Sequence, residues 1–128
     1  MQHDLSKRER QIIEIAYKKK KATVREVLSE IPNPPSYSAI RTLMNILVEK
    51  GFLKRAKSGK RYLYSPTISE KKAGRTAMEN LLNTYFDNSL EKAVTALLEI
   101  RNKRIQDQDL EKLSAVIDKA RRKEEKND

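Results

Sequence analysis

The segment Ser36–Pro66, SYSAIRTLMNILVEKGFLKRAKSGKRYLYSP, restricts the fold more than any other part of the chain. Pro32, Pro34 and Pro35 stop any helix arriving from upstream and impose an extended or turning connection. A helix then fits Ser36–Lys50. Ile40, Leu43 and Leu47 fall on one side of it with Met44 at the border, and Ser38, Arg41, Thr42, Asn45 and Glu49 fall on the other. Gly51 stands where a helix C-terminus favours a residue that tolerates positive φ. Phe52–Ala56 and Arg61–Ser65 read as strands joined by Lys57-Ser58-Gly59-Lys60, and Lys54, Arg55, Lys57, Lys60 and Arg61 crowd that hairpin with positive charge. Tyr62 and Tyr64 share one strand face, with Leu63 on the other. The predicted unit is a helix with a small-polar and cationic outer face beside a basic β-hairpin.

Two helices precede it, the second of them short. Ser6-Lys7-Arg8-Glu9 and Thr23-Val24-Arg25-Glu26 both have the spacing of a capping box. The first is followed by the apolar stripe Ile12, Ile13, Ala16 and Tyr17, with Leu5 placed to staple the start. The second is followed by Val27, Leu28 and Ile31. Lys18 to Lys21 suit the C-terminal end of the first helix, where cations meet the negative pole of the macrodipole. The same run can also serve as a nucleic-acid contact.

Beyond Pro66 the character changes to helix formers. A helix over Glu70–Tyr85 ends in Leu81, Leu82, Tyr85 and Phe86, and Asp87-Asn88-Ser89 breaks it and caps the next. Leu90, Ala93, Val94, Leu97 and Leu98 give a second apolar stripe. A helix from about Asp107 gives a third, with Leu110, Leu113, Val116, Ile117 and Ala120, and the polar tail RRKEEKND is expected to fray. The division expected is 1–68, a winged helix-turn-helix, and 69–128, a three-helix region. The fold class is mainly α with a small β-wing. About sixty residues in three helices bury little by themselves. Stripes of this strength find partners most simply in a second copy of the chain; the other option is that they fold onto the chain's own first half.

The net charge of +10 is unevenly held. Residues 1–68 carry 15 Lys/Arg against 6 Asp/Glu, while residues 69–128 carry 13 against 12. An excess confined to one half points to a half that meets a polyanion. Arg41 can take guanine O6 and N7 together or grip a phosphate. Asn45 can pair with adenine, Ser38 or Thr42 can bond a base or phosphate, and Tyr37 can reach a phosphate or a sugar. Lys54, Arg55, Lys57, Lys60 and Arg61 would supply backbone or minor-groove contacts from the hairpin. The tyrosine pair on the hairpin fits core cover better than base stacking.

Catalysis has no footing in these residues. His3 is the single histidine and lacks partners at metal-ligand spacing. Cysteine is absent, and Gly51, Gly59 and Gly74 lie too far apart for a phosphate loop. No cofactor, no metal and no enzymatic activity are expected. With no apolar run of membrane-spanning length and no secretory signal, a cytoplasmic location without membrane contact is expected.

Five segments carry a resemblance when taken in order. They are Leu5-Ser6-x-x-Glu9-x-x-Ile12-Ile13, Ala22-Thr23-Val24-Arg25-Glu26-Val27, Ile40-Arg41-Thr42-Leu43, Glu49-Lys50-Gly51-Phe52-Leu53-Lys54-Arg55 and Arg61-Tyr62-Leu63-Tyr64-Ser65-Pro66. Together they resemble the BlaI/MecI/CopY family of bacterial transcriptional repressors. The match is close in the winged half and one of pattern in the remainder. The resemblance implies a cytoplasmic homodimer that binds palindromic operators, often of TACA/TGTA type, and blocks the promoter. It makes Tyr37–Asn45 the recognition helix and the loop after Phe52 the wing. It makes the C-terminal helices, through Leu81, Leu82, Tyr85, Phe86, Leu90, Val94, Leu97, Leu98, Leu110, Leu113 and Ile117, the dimerisation region. Three features depart from the family. The Asn-Phe pair cleaved in β-lactam-responsive members is missing, with Ala96-Leu97 about where it would lie; the cysteine motif of copper-responsive members is missing; and Tyr17 replaces a Trp. The inducing signal stays open between proteolysis through a sensor or protease partner, a small ligand and a partner protein. A sequence-tolerant architectural DNA-binding protein is the competing expectation, and a monomeric protein-interaction module is a third.

Overall fold

The computed structural model describes residues 5–127 of the chain. Its elements run α1 (Lys7–Lys19), α2 (Val24–Glu30), α3 (Tyr37–Glu49), β1 (Leu53–Ser58), β2 (Arg61–Pro66), α4 (Glu70–Tyr85), α5 (Leu90–Arg101), a short 3-10 turn (Asn102–Arg104) and α6 (Asp107–Asn127). The chain divides into two compact units, Met1–Thr76 and Ala77–Asp128, with the division inside α4. No helix among the described residues is long and apolar enough to cross a membrane.

In the first unit the start of each of the first three helices is fixed by a side chain. Ser6 Oγ accepts from the Glu9 amide at 3.1 Å while Glu9 accepts from the Ser6 amide at 2.9 Å. Thr23 and Glu26 repeat the arrangement at 3.2 and 2.9 Å, and Ser36 Oγ accepts from the Ala39 amide at 3.1 Å. Each hydroxyl satisfies one of the amide donors a helix leaves open at its start. The buried apolar faces then meet: Ile12 and Ala16 from α1, Val24 and Val27 from α2, and Ile40, Met44 and Leu47 from α3. Ala22, Ile31, Leu53 and Tyr64 complete the core. In α3 the centre of the buried stripe is Met44 rather than Leu43, which lies half-buried at the edge. At about 100° per residue the sets 40, 43, 47 and 40, 44, 47 cover arcs of equal width, so phase alone does not choose between Leu43 and Met44, and packing places Met44 inward.

The hairpin is antiparallel, with Leu53 opposite Pro66 and Ser58 opposite Arg61. The strands run further than sequence spacing suggests, which leaves Gly59-Lys60 as a two-residue turn. Gly59 has φ +65° there, the sign a II′ turn needs at its first central residue. Ala22 adds a third, single-residue rung: its amide donates to the Tyr64 carbonyl at 2.9 Å and its carbonyl accepts from the Tyr64 amide at 2.8 Å. Gly51, at φ +88°, turns the chain from α3 into β1. Thr67 closes the base of the hairpin, donating from Oγ1 to the Gly51 carbonyl at 2.7 Å and from its amide to the Phe52 carbonyl at 3.1 Å.

In the second unit Asp87 and Asn88 adopt positive φ (51° and 55°), and the Ser89 side chain accepts from the Lys92 amide at 3.2 Å to start α5. The polar tail, expected to fray, continues α6 through Asn127. No residue of α5 is buried, nor any described residue of α6.

Candidate nucleic-acid interface

Position of α3. Three long-range contacts anchor α3. Glu9, only 4% exposed, receives Lys50 Nζ at 2.9 Å, so the start of α1 is tied to the end of α3. Hydrogen bonding from the Ser6 amide, reinforced by Lys50, holds the Glu9 carboxyl below the ordinary carboxylate range despite its burial. Arg8 directs both guanidinium nitrogens to the loop before α3, at 2.8 Å from the Pro32 carbonyl and 3.0 Å from that of Asn33. Neither Lys50 nor Arg8 stands out in the sequence as a positioning residue, because periodicity reports which face is buried and not which distant group a charge will meet.

With α3 held this way, Ser38, Arg41, Thr42 and Glu49 point to solvent and Tyr37 is 43% exposed. The Arg41 side chain makes no hydrogen bond or ion pair among the described residues, nor do the side chains of Lys54, Lys57 and Lys60, all exposed on the hairpin. A cleft of about 510 Å³ lies between α3 and the wing, lined by Thr23, Val24, Arg25, Tyr37, Arg41, Asn45, Arg55, Lys60, Arg61, Tyr62 and Tyr64. Five of those side chains are cationic. The groove thus holds unneutralised positive charge beside an exposed helix face, the arrangement required to follow a phosphate backbone while side chains approach base edges.

Alternation along the strands sorts the wing residues. Arg55 and Lys57 share a face with Tyr62 and Tyr64, whereas Lys54 and Arg61 belong to the opposite face by register. Tyr64 is buried in the core and Tyr62 is exposed, its ring lying 4.6 Å beneath the Arg55 guanidinium. Core cover therefore describes Tyr64 alone. Asn45, grouped by helical phase with the outward residues, is half-buried and accepts from Tyr64 Oη at 3.0 Å and from Arg55.

Arg25 is the cleft residue that sequence reasoning missed. Its guanidinium lies 5.6 Å from the centre of the Tyr37 ring. Its place inside a capping box drew attention to Thr23 and Glu26 and away from the outward third position. Within the run Lys18–Lys21 two lysines are ion-paired: Lys19 lies 3.3 Å from Glu30, and Lys20 pairs with Glu70. His3 lies outside the described residues, and no cluster of potential metal ligands occurs among them.

A helix-turn-helix core, an exposed third helix and a basic two-stranded wing define a DNA-binding winged-helix protein. The chain belongs to the penicillinase repressor family, whose family model matches residues 5–119. It is similar to the penicillinase repressor of Bacillus licheniformis, 25% identical over 124 residues, covering 94% of this chain and 95% of the relative. It is also similar to the methicillin resistance regulatory protein MecI of Staphylococcus aureus strain N315, 24% identical over 119 residues, with 91% and 95% covered. Among solved structures, the DNA-binding domain of the repressor BlaI is 27% identical, with a TM-score of 0.48 over 55% of this chain and 90% of that one. These relatives are transcriptional repressors and not enzymes, and this chain is of their DNA-binding winged-helix type.

Proposed function

We propose that the chain is a cytoplasmic, homodimeric repressor that binds a palindromic operator of TACA/TGTA type and blocks transcription by occupying it. The observation that carries this reading is the cleft between α3 and the wing, where exposed Arg41 has no intramolecular partner beside Arg25, Lys60 and Arg61. Arg41 reads a base edge from the major groove, with Ser38 and Thr42 beside it and Tyr37 at the backbone. Lys54, Arg55, Lys57, Lys60 and Arg61 supply the sequence-independent part of the affinity. The apolar residues of α4–α6 meet their counterparts in a second copy, giving two reading helices on one duplex, about one helical turn apart or a multiple of it.

The test compares a TACA/TGTA palindrome with a scrambled duplex at physiological salt. A repressor prefers the palindrome by on the order of 10³ or more. Arg41→Ala should cost about 1–3 kcal/mol on the palindrome and relax the preference at one position. Equal affinity of the unaltered protein for both duplexes would replace the repressor with a sequence-tolerant architectural protein.

A further inference from the structure

The contacts between α3 and the wing carry a consequence for Asn45, resting on the DNA-binding reading above. A guanidinium can only donate, so the Asn45 atom facing Arg55 is the amide oxygen, and the same oxygen accepts from Tyr64 Oη at 3.0 Å. A carbonyl oxygen has two lone pairs, and both are engaged. Pairing with adenine demands that oxygen for the base's amino group, together with the amide nitrogen for N7. Adenine pairing would therefore require Asn45 to release Arg55 or Tyr64, and Tyr64 is 1% exposed.

We propose that Asn45 is the joint between the recognition helix and the wing, and that its task is to position Arg55 as a fixed phosphate ligand. Three features support this. Tyr64 is anchored in the core and bonded through its backbone to Ala22, so it gives the joint a rigid side. Arg55 stands directly opposite Tyr64 in the strand register, which brings its guanidinium to the same amide. The Tyr62 ring, with its centre 4.6 Å from the guanidinium carbon, restrains the cation from its other flank. Arg55 has five N–H donors in a planar fork, so those not used by Asn45 stay available to a phosphate in the cleft it shares with Arg41. A cation held this way loses less freedom on binding than a free lysine, which is what preorganisation contributes to affinity.

The experiment is a double-mutant cycle on the full chain with Asn45→Ala, Arg55→Ala and the double variant, titrated against the palindrome and an unrelated duplex over a salt series. Because Asn45→Ala leaves a buried hydroxyl unpartnered, the cycle is repeated in a Tyr64→Phe background. Each single variant should lose about tenfold on both duplexes and lower the salt slope by about one, and the double variant should lose no more than either single. Additive losses would overturn the proposal. So would an Asn45→Ala defect confined to one base position with an unchanged salt slope, which would make Asn45 a base reader. A DNA-free readout separates this from the functional reading: Arg55 guanidinium proton exchange, followed by NMR, should be slow in the unaltered protein and fast in Asn45→Ala. Unchanged exchange would remove the joint whatever the DNA result, whereas an unaltered protein that binds neither duplex would overturn the functional reading and leave exchange to decide the joint.

Discussion

Residues 1–76 close a core in which Ile12, Ala16, Val27, Ile40, Met44 and Leu47 are fully sequestered, whereas residues 77–128 have no buried side chain among those described. The second region is almost entirely helical whereas the first adds a hairpin to its helices, and the two differ in what their apolar residues meet. In the first, three helices and a hairpin supply faces to each other. In the second, Leu90 is 76% exposed, Tyr85 73% and Ile100 70%. Burying an apolar side chain of that size stabilises by about 1.5–3 kcal/mol, so covering these faces, as the proposed pairing would, has stability to gain. Charge divides the same way: the self-sufficient region holds the cationic excess and the incomplete region is nearly neutral. The contrast places the stability of one chain in residues 1–76, and the exposed apolar faces of residues 77–128 are what the proposed pairing of two chains would cover.

The contrast can be broken most severely in the second region. Leu97→Asp places a charge on the exposed stripe of α5, and an unpaired charge in an apolar interface costs several kcal/mol. Sedimentation should show a monomer, operator affinity should fall at least about a hundredfold, and the melting of residues 1–76 should be unchanged. A Leu97→Asp protein that stays dimeric would remove this stripe from the interface. The converse change, Met44→Ala, should cost about 2–5 kcal/mol of unfolding free energy by opening a cavity, measured by denaturant titration, with the dimer mass retained. If Met44→Ala dissociated the dimer while leaving stability intact, the assignment of roles would be reversed.

A smaller effect sharpens the picture of the first region. Glu9 is bound by the Ser6 amide and Lys50, so its carboxyl titrates below its unfolded value. Its contribution is complete above the ordinary carboxylate range and is lost as pH falls through that range toward the lowered folded value. Glu9→Gln should cost about 2 kcal/mol at neutral pH and flatten the acid limb of the stability profile, followed by thermal melts. An acid limb of unchanged slope would show that Lys50 and Ser6 do not favour the charged form. The smallest effect is expected from Lys60→Ala, which should weaken binding to every duplex alike and reduce the salt slope by about one. No change in slope would take the turn of the wing off the phosphate backbone.

The order of elements was legible in the sequence because local signals fixed it: capping boxes at Ser6 and Thr23, prolines before Ser36, and glycines at 51 and 59. The outward placement of Ser38, Arg41 and Thr42 followed from helical phase alone. Phase was less informative at Asn45, which shares their side of the helix yet is captured by Arg55 and Tyr64 from strands ten and nineteen residues away. The Lys50–Glu9 pair, across 41 residues, was hidden for the same reason. Arg25 was obscured by the capping motif around it. Strand ends were misjudged by one or two residues because a charged hairpin has little apolar alternation to mark them. The unit boundary inside α4 has no sequence signal, since the helix continues through it.

The central claim is that the self-sufficient region reads DNA and the incomplete region brings two such readers together. Selection of bound sequences from random duplex DNA, with the full chain at physiological salt, tests both halves at once. The account predicts an enriched palindrome with two half-sites spaced by about one helical turn or a multiple of it. Enrichment of a single half-site would contradict the pairing, and binding without enrichment would contradict sequence reading itself.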